Sequence, residues 1–114
     1  VRAKLVKEGL NDLLVPKSKE DIIKELNNLS QEEKDEKLLN ASWKGHLDIV
    51  KLLIEVGADV NATNIFNSTP LILAFKNNHL DIVKYLIEVG ANVNVQNEWG
   101  ETALILAYKH NYKD

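Results

Sequence analysis

HLDIVKLLIEVGADVN at residues 46–61 returns as HLDIVKYLIEVGANVN at residues 79–94, and STPLILA at 68–74 returns as ETALILA at 101–107. Taken whole, His46–Asn78 aligns with His79–Asn111 without a gap, and a direct count finds 22 identities among the 33 pairs. A period this regular implies stacked copies of one supersecondary unit, because a single copy cannot bury its own apolar face. Within the copies, Ile49, Val50, Leu53 and Ile54 recur as Ile82, Val83, Leu86 and Ile87 at helical spacing. That stripe is expected to pack as core against neighbouring helices.

Working outward, the second helix of each unit is expected over about Leu47–Val56 and Leu80–Val89, with Gly57 and Gly90 as C-terminal caps. Residues 58–69 and 91–102 should form hairpin loops. Thr69 and Thr102 are N-cap candidates, and Pro70 stands at a first helical turn, where its missing N–H costs nothing. Leu38, Leu39 and Ala41 align at the same spacing with Leu71, Ile72 and Ala74, and again with Leu104, Ile105 and Ala107. These mark the inner helix of three successive units. Gly45, Asn78 and Asn111 fall at the turn that follows, where glycine or asparagine tolerates a left-handed backbone.

These segments resemble the ankyrin repeat: a 33-residue period, a T-P-L-H-x-A-like segment, and a helix closing on Gly57-Ala58-Asp59-Val60-Asn61 and Gly90-Ala91-Asn92-Val93-Asn94. The resemblance covers residues 37–114, as one incomplete, one complete and one truncated repeat. It implies an all-α solenoid of stacked antiparallel helix pairs with projecting hairpin loops. It also implies a concave face that binds another protein, and no catalysis. His46 and His79 occupy the family's turn histidine, where a structural hydrogen bond is expected. The chain departs from the pattern where Ile72 and Ile105 replace a histidine, Asn67 replaces a loop glycine that Gly100 retains, and Ala103 replaces proline. The isoleucines exchange a polar tie for buried apolar area, at about 25 cal/mol per Å². Asn67 puts loop rigidity in question.

Residues 1–36 lack the repeat phrase. Apolar spacing predicts a short helix over 3–14 before Pro16, a second near 19–28 behind Ser18 and Asp21, and a third starting near Gln31 behind the Ser30–Glu33 capping box. An N-terminal helical cap over the first repeat is the expected role; a separate linker or tail is the alternative. At the other end, the helix from Thr102 lacks a following helix, so Leu104, Leu106 and Ala107 are expected to be partly uncovered. An open end predicts further repeats in a longer parent protein, or self-association. A start at Val1 and a stop at Asp114, in mid-repeat, read as a fragment.

Composition narrows the function. The 114 residues, 45% hydrophobic, suit one soluble domain. A net charge of −3 leaves no basic footprint for nucleic acid or anionic lipid. Charged residues interrupt every apolar stretch, so no membrane span is expected. Cysteine is absent, which suits a cytoplasmic setting and removes thiolate chemistry. The serines lie outside any nucleophile elbow, the glycines are scattered as turn formers, and neither histidine nor carboxylate spacing builds a metal site. No catalytic residue, cofactor or metal is expected.

What remains is surface recognition. The resemblance carries partner contacts to the hairpin tips, Ile65, Phe66, Asn67, Glu98, Trp99 and Glu101, and to the inner-helix positions Trp43, Lys44, Lys76, Asn77, Lys109 and His110. Aromatic side chains at two successive tips and on the adjoining helix offer large, rigid contact area. Each aromatic has a structural alternative: Phe66 and Trp99 fold back on the neighbouring hairpin, and Trp43 packs against the cap. The expected function is non-catalytic binding of a partner protein. The alternatives are a regulatory or targeting segment of a larger enzyme or effector, delivered into a host cell in one version, and a self-associating structural module.

Overall fold

The computed structural model describes residues 18–109. The helix expected over 3–14, together with His110 and Asn111, lies outside them. Six helices and no strands are present among the described residues: α1 Lys19–Asn27, α2 Gln31–Lys44, α3 Leu47–Glu55, α4 Pro70–Lys76, α5 Leu80–Glu88 and α6 Ala103–Lys109.

Local chemistry sets the helix boundaries. The Ser18 hydroxyl accepts from the Asp21 N–H at 3.2 Å, and Ser30 and Glu33 close a reciprocal capping box ahead of α2. Thr69 and Thr102 accept from the N–H groups of Ile72 and Ile105, each at 3.2 Å. α2 ends at Gly45, whose φ of 87° and N–H bond to the Ala41 carbonyl form a left-handed cap. Asn78 takes the same role after α4 with φ 63°. The carbonyls just past α3 are satisfied from α2, where Gln31 Nε2 donates to Gly57 at 2.9 Å and Lys34 Nζ to Val56 at 3.0 Å.

The helices form two rows. α2, α4 and α6 stack as the inner row, and α1, α3 and α5 as the outer row, with α2 paired to α3 and α4 to α5. α1 thus takes an outer-row place beside α3, contributing Leu26 to the common core. Leu38, Val50, Leu53, Leu71, Ile72, Ile82 and Leu86 fill that core between the rows. Lys51 Nζ lies 5.5 Å from the Tyr85 ring centre, linking neighbouring outer helices. Ile72 is fully buried, so the exchange of histidine for isoleucine gains apolar burial there, whereas Ile105, expected to do the same, is 41% exposed.

Two core expectations need correction. Leu106, expected to be partly uncovered, is 2% exposed because it points back onto α4 and into the core cluster. Ile87, assigned to the core stripe, is 48% exposed. Its counterpart Ile54 is half-buried on a helix flanked by α1 and α5, whereas no described helix packs on the far side of α5. The same absence uncovers the outer face of α6: Leu71 is 1% exposed and Phe75 6%, but their counterparts Leu104 and Tyr108 reach 72% and 86%.

α2 has 14 residues where α4 and α6 have 7. Its first turns occupy the positions that, one period later, form a hairpin tip and its descent. The position between residues 36 and 37 therefore falls inside one continuous helix.

Candidate functional site

The loops that carry the tips are built twice from the same device. Asn64 Oδ1 accepts from the N–H groups of Phe66 and Ser68 at 2.9 and 3.0 Å, and Asn97 Oδ1 accepts from those of Trp99 and Glu101 at 3.0 and 2.9 Å. Asn67 and Gly100 hold positive φ at the turn, 60° and 74°, and donate to the carbonyls of Asn64 and Asn97, each at 3.0 Å. The loop with asparagine at the turn therefore keeps the same hydrogen bonds as the loop with glycine. Asn97 is buried and reaches further, its Nδ2 donating to Ser68 Oγ at 3.3 Å and to Glu101 Oε1 at 3.0 Å. Sequence reasoning missed these asparagines. The signal was their identity at one period while the residues around the tip change, Ile65 to Glu98, Asn67 to Gly100 and Ser68 to Glu101.

So braced, the tips meet. The Glu98 N–H donates to the Phe66 carbonyl at 2.9 Å, and the Phe66 and Trp99 rings lie 5.1 Å apart, tilted by 32°. Each tip aromatic does fold against the neighbouring hairpin, yet Phe66 stays 40% and Trp99 58% exposed. Lys76 Nζ sits 4.5 Å from the Trp99 ring centre and 3.3 Å from Glu101 Oε1, and Lys109 Nζ lies 3.8 Å from Glu101 Oε2. The Asn97 amide, and then Lys76 and Lys109, hold the Glu101 carboxyl below the usual carboxylate value, against the opposing effect of its desolvation.

Between these tips and the inner helices opens a cavity of about 360 Å³. Leu39 and Leu73 line its apolar part, Trp43, Phe66 and Trp99 contribute ring surface, and Glu36, Asn40, Asn64, Ser68 and Lys76 supply polar groups. Trp43, 46% exposed, faces this cavity from the last turn of α2. The geometry thus gathers Trp43, Phe66, Lys76 and Trp99 from the sequence-based set. Ile65 lies in an adjoining trough, and Lys109 joins through Glu101. Lys44 and Glu98 are exposed outside the cavity. Asn77 is tied down: its Nδ2 donates to the Trp43 carbonyl at 2.8 Å, and His79 Nε2 lies 3.0 Å from the same oxygen. That carbonyl only accepts, so His79 carries its proton on Nε2. His79 makes the structural hydrogen bond expected of it. Leu39 and Asn40 were missed as lining residues, although Glu36, Leu39, Asn40 and Trp43 share one helical face by their spacing.

Two rows of short antiparallel helices, joined by stacked loops and flanking an aromatic groove, define a helical-repeat solenoid of the kind that presents a concave surface. A family profile described as ankyrin repeats, three copies, matches residues 38–114, and the chain belongs to the ankyrin repeat family. A 43-residue stretch, 38% of this chain and 33% of its relative, is 46% identical to an ankyrin repeat protein of Acanthamoeba polyphaga mimivirus. The match spans about a third of that relative's length. Ankyrin repeats are generally protein–protein interaction modules, and the family is typically non-catalytic. No helix among the described residues is long and apolar enough to cross a membrane.

Proposed function

We propose that this chain is a non-catalytic module that binds a segment of a partner protein in the groove between the hairpin tips and the inner helices. The carrying observation is the cavity where Trp43, Phe66 and Trp99 remain substantially exposed, the last two with their rings 5.1 Å apart across neighbouring tips. Pre-positioned aromatic surface loses little entropy on binding, which is the make-up of interface hot spots. α1 acts as a helical cap on the stack, with Leu26 buried in the common core. A cysteine-free chain suits the cytoplasm. As a test, Trp43→Ala should weaken a purified partner's affinity at least tenfold, because hot-spot truncations cost about 2 kcal/mol or more, while the unfolding midpoint barely moves. A folded Trp43→Ala variant with unchanged affinity would overturn the proposal.

A second reading is favoured by the outer face of α6, where Leu104, Ile105 and Tyr108 are all exposed. Contiguous apolar surface of this kind supports self-association.

A further inference from the structure

The groove has a second half with different chemistry. Beside the aromatic cavity, and sharing Glu36, Leu39 and Asn64 with it, runs a trough lined by Glu32, Glu33, Asp35, Glu36 and Asp59, with no lysine or arginine in its wall. None of these carboxylates forms an ion pair among the described residues. Helix-start electrostatics explain only part of the charge: Glu32 and Glu33 stand in the first turn of α2, but Glu36 lies beyond it and Asp59 comes from the loop after α3. Asp35 and Asp59 each accept a backbone N–H, at 2.7 and 2.9 Å. Glu32 and Glu36 are exposed. The acidic side chains do not converge into a cluster that could hold a metal ion, so the trough suits the larger cations of lysine and arginine side chains.

The aromatic half behaves in the opposite way. Its own cation, Lys76, already lies over Trp99 and shares the Glu101 carboxylate with Lys109, which disfavours a further cation there and leaves ring and leucine surface for an apolar group. Charge complementarity therefore gives the groove a direction. Along α2, the centre of the acidic stretch 32–36 lies seven residues from that of 39–43, or about 10 Å. An extended segment covers that distance in about three residues.

We propose that the occupant is a peptide segment of a partner protein that places an apolar or aromatic side chain in the cavity against Trp43 and Phe66, and a basic side chain about three positions away over the acidic trough. This rests on the protein-binding reading of the groove. The test pans a displayed library of random dodecapeptides on the full chain, then measures selected synthetic peptides against wild type, Trp43→Ala, and the double variant Glu32→Lys with Glu36→Lys. Unfolding midpoints verify that both variants are folded. The expected result is enrichment of lysine or arginine near an apolar anchor, with affinity lowered about tenfold by the charge reversal, lowered by Trp43→Ala, and weakened by added salt. Peptides that need Trp43 but carry no basic residue and ignore the charge reversal would overturn this proposal while leaving the protein-binding reading intact. Failure to enrich any peptide sensitive to Trp43→Ala would overturn both.

Discussion

Gly45 shows how closely neighbouring layers approach. A Cβ added there would lie 2.5 Å from His79 Cε1 and 2.7 Å from Nδ1, displacing the ring that bonds the Trp43 carbonyl, and the φ of 87° already disfavours any side chain. Gly57 has a comparable φ of 101° but nothing within 4 Å of such a Cβ. Gly57→Ala should therefore cost about 1 kcal/mol from backbone strain alone, and Gly45→Ala clearly more, both read by urea denaturation. Equal costs would show that the His79 contact is dispensable. Glu101 gives a pH signature. Its folded-state pKa is lowered, so its contribution is fully present above the unfolded-state value, about 4.3, and disappears as pH falls through the lower folded value. The stability gap between wild type and Glu101→Gln should accordingly be widest near neutrality and close in acid; a gap independent of pH would contradict this account.

At the level of elements, α6 contains two leucines two positions apart with opposite fates. Leu106 is buried against α4, and Leu104 is exposed. Leu106→Ala should destabilise by about 2–5 kcal/mol, as large-to-small core changes do, whereas Leu104→Ala should stay within about 0.5 kcal/mol. Thermal unfolding of the two variants checks the contrast. The 33-residue period made the helices, their caps and their pairing legible, because each rests on local spacing and on residue types such as Ser30, Thr69 and Gly45. It did not reveal the burial of Leu106 or the exposure of Ile87, since burial depends on which neighbouring layer is present and adjacent copies share nearly the same local sequence. The length of α2 was legible, from its start behind the Ser30–Glu33 capping box to its end at Gly45, but its part in a groove was not, because nothing local marked its acidic first turns as one wall.

For the whole molecule, the groove and the end face are separable surfaces. Self-association through α6 predicts a concentration-dependent dimer in sedimentation equilibrium that Leu104→Glu with Tyr108→Glu disperses, without loss of helicity. Because Trp43 and Leu39 lie on α2, in a different layer, the dispersed variant should bind groove peptides as wild type does. A chain that stays monomeric at high concentration would exclude self-association. Of the groove, the aromatic members were legible in the sequence as aligned tips. The pairing of Lys76 with Trp99 and Glu101 was not, because it joins side chains from a helix and from the next loop, whose meeting depends on the pitch of the stack.

Among the described residues the two rows are staggered: α1 stands in the outer course beside α3 with no inner helix paired to it, and α6 stands in the inner course beside α4 with no outer helix paired to it. Both extremities are consequently stepped, like masonry laid in running bond. Splicing one more 33-residue unit into the interior would reproduce the same steps on either side, so the assembly could be lengthened, and its groove extended, without altering α1 or α6.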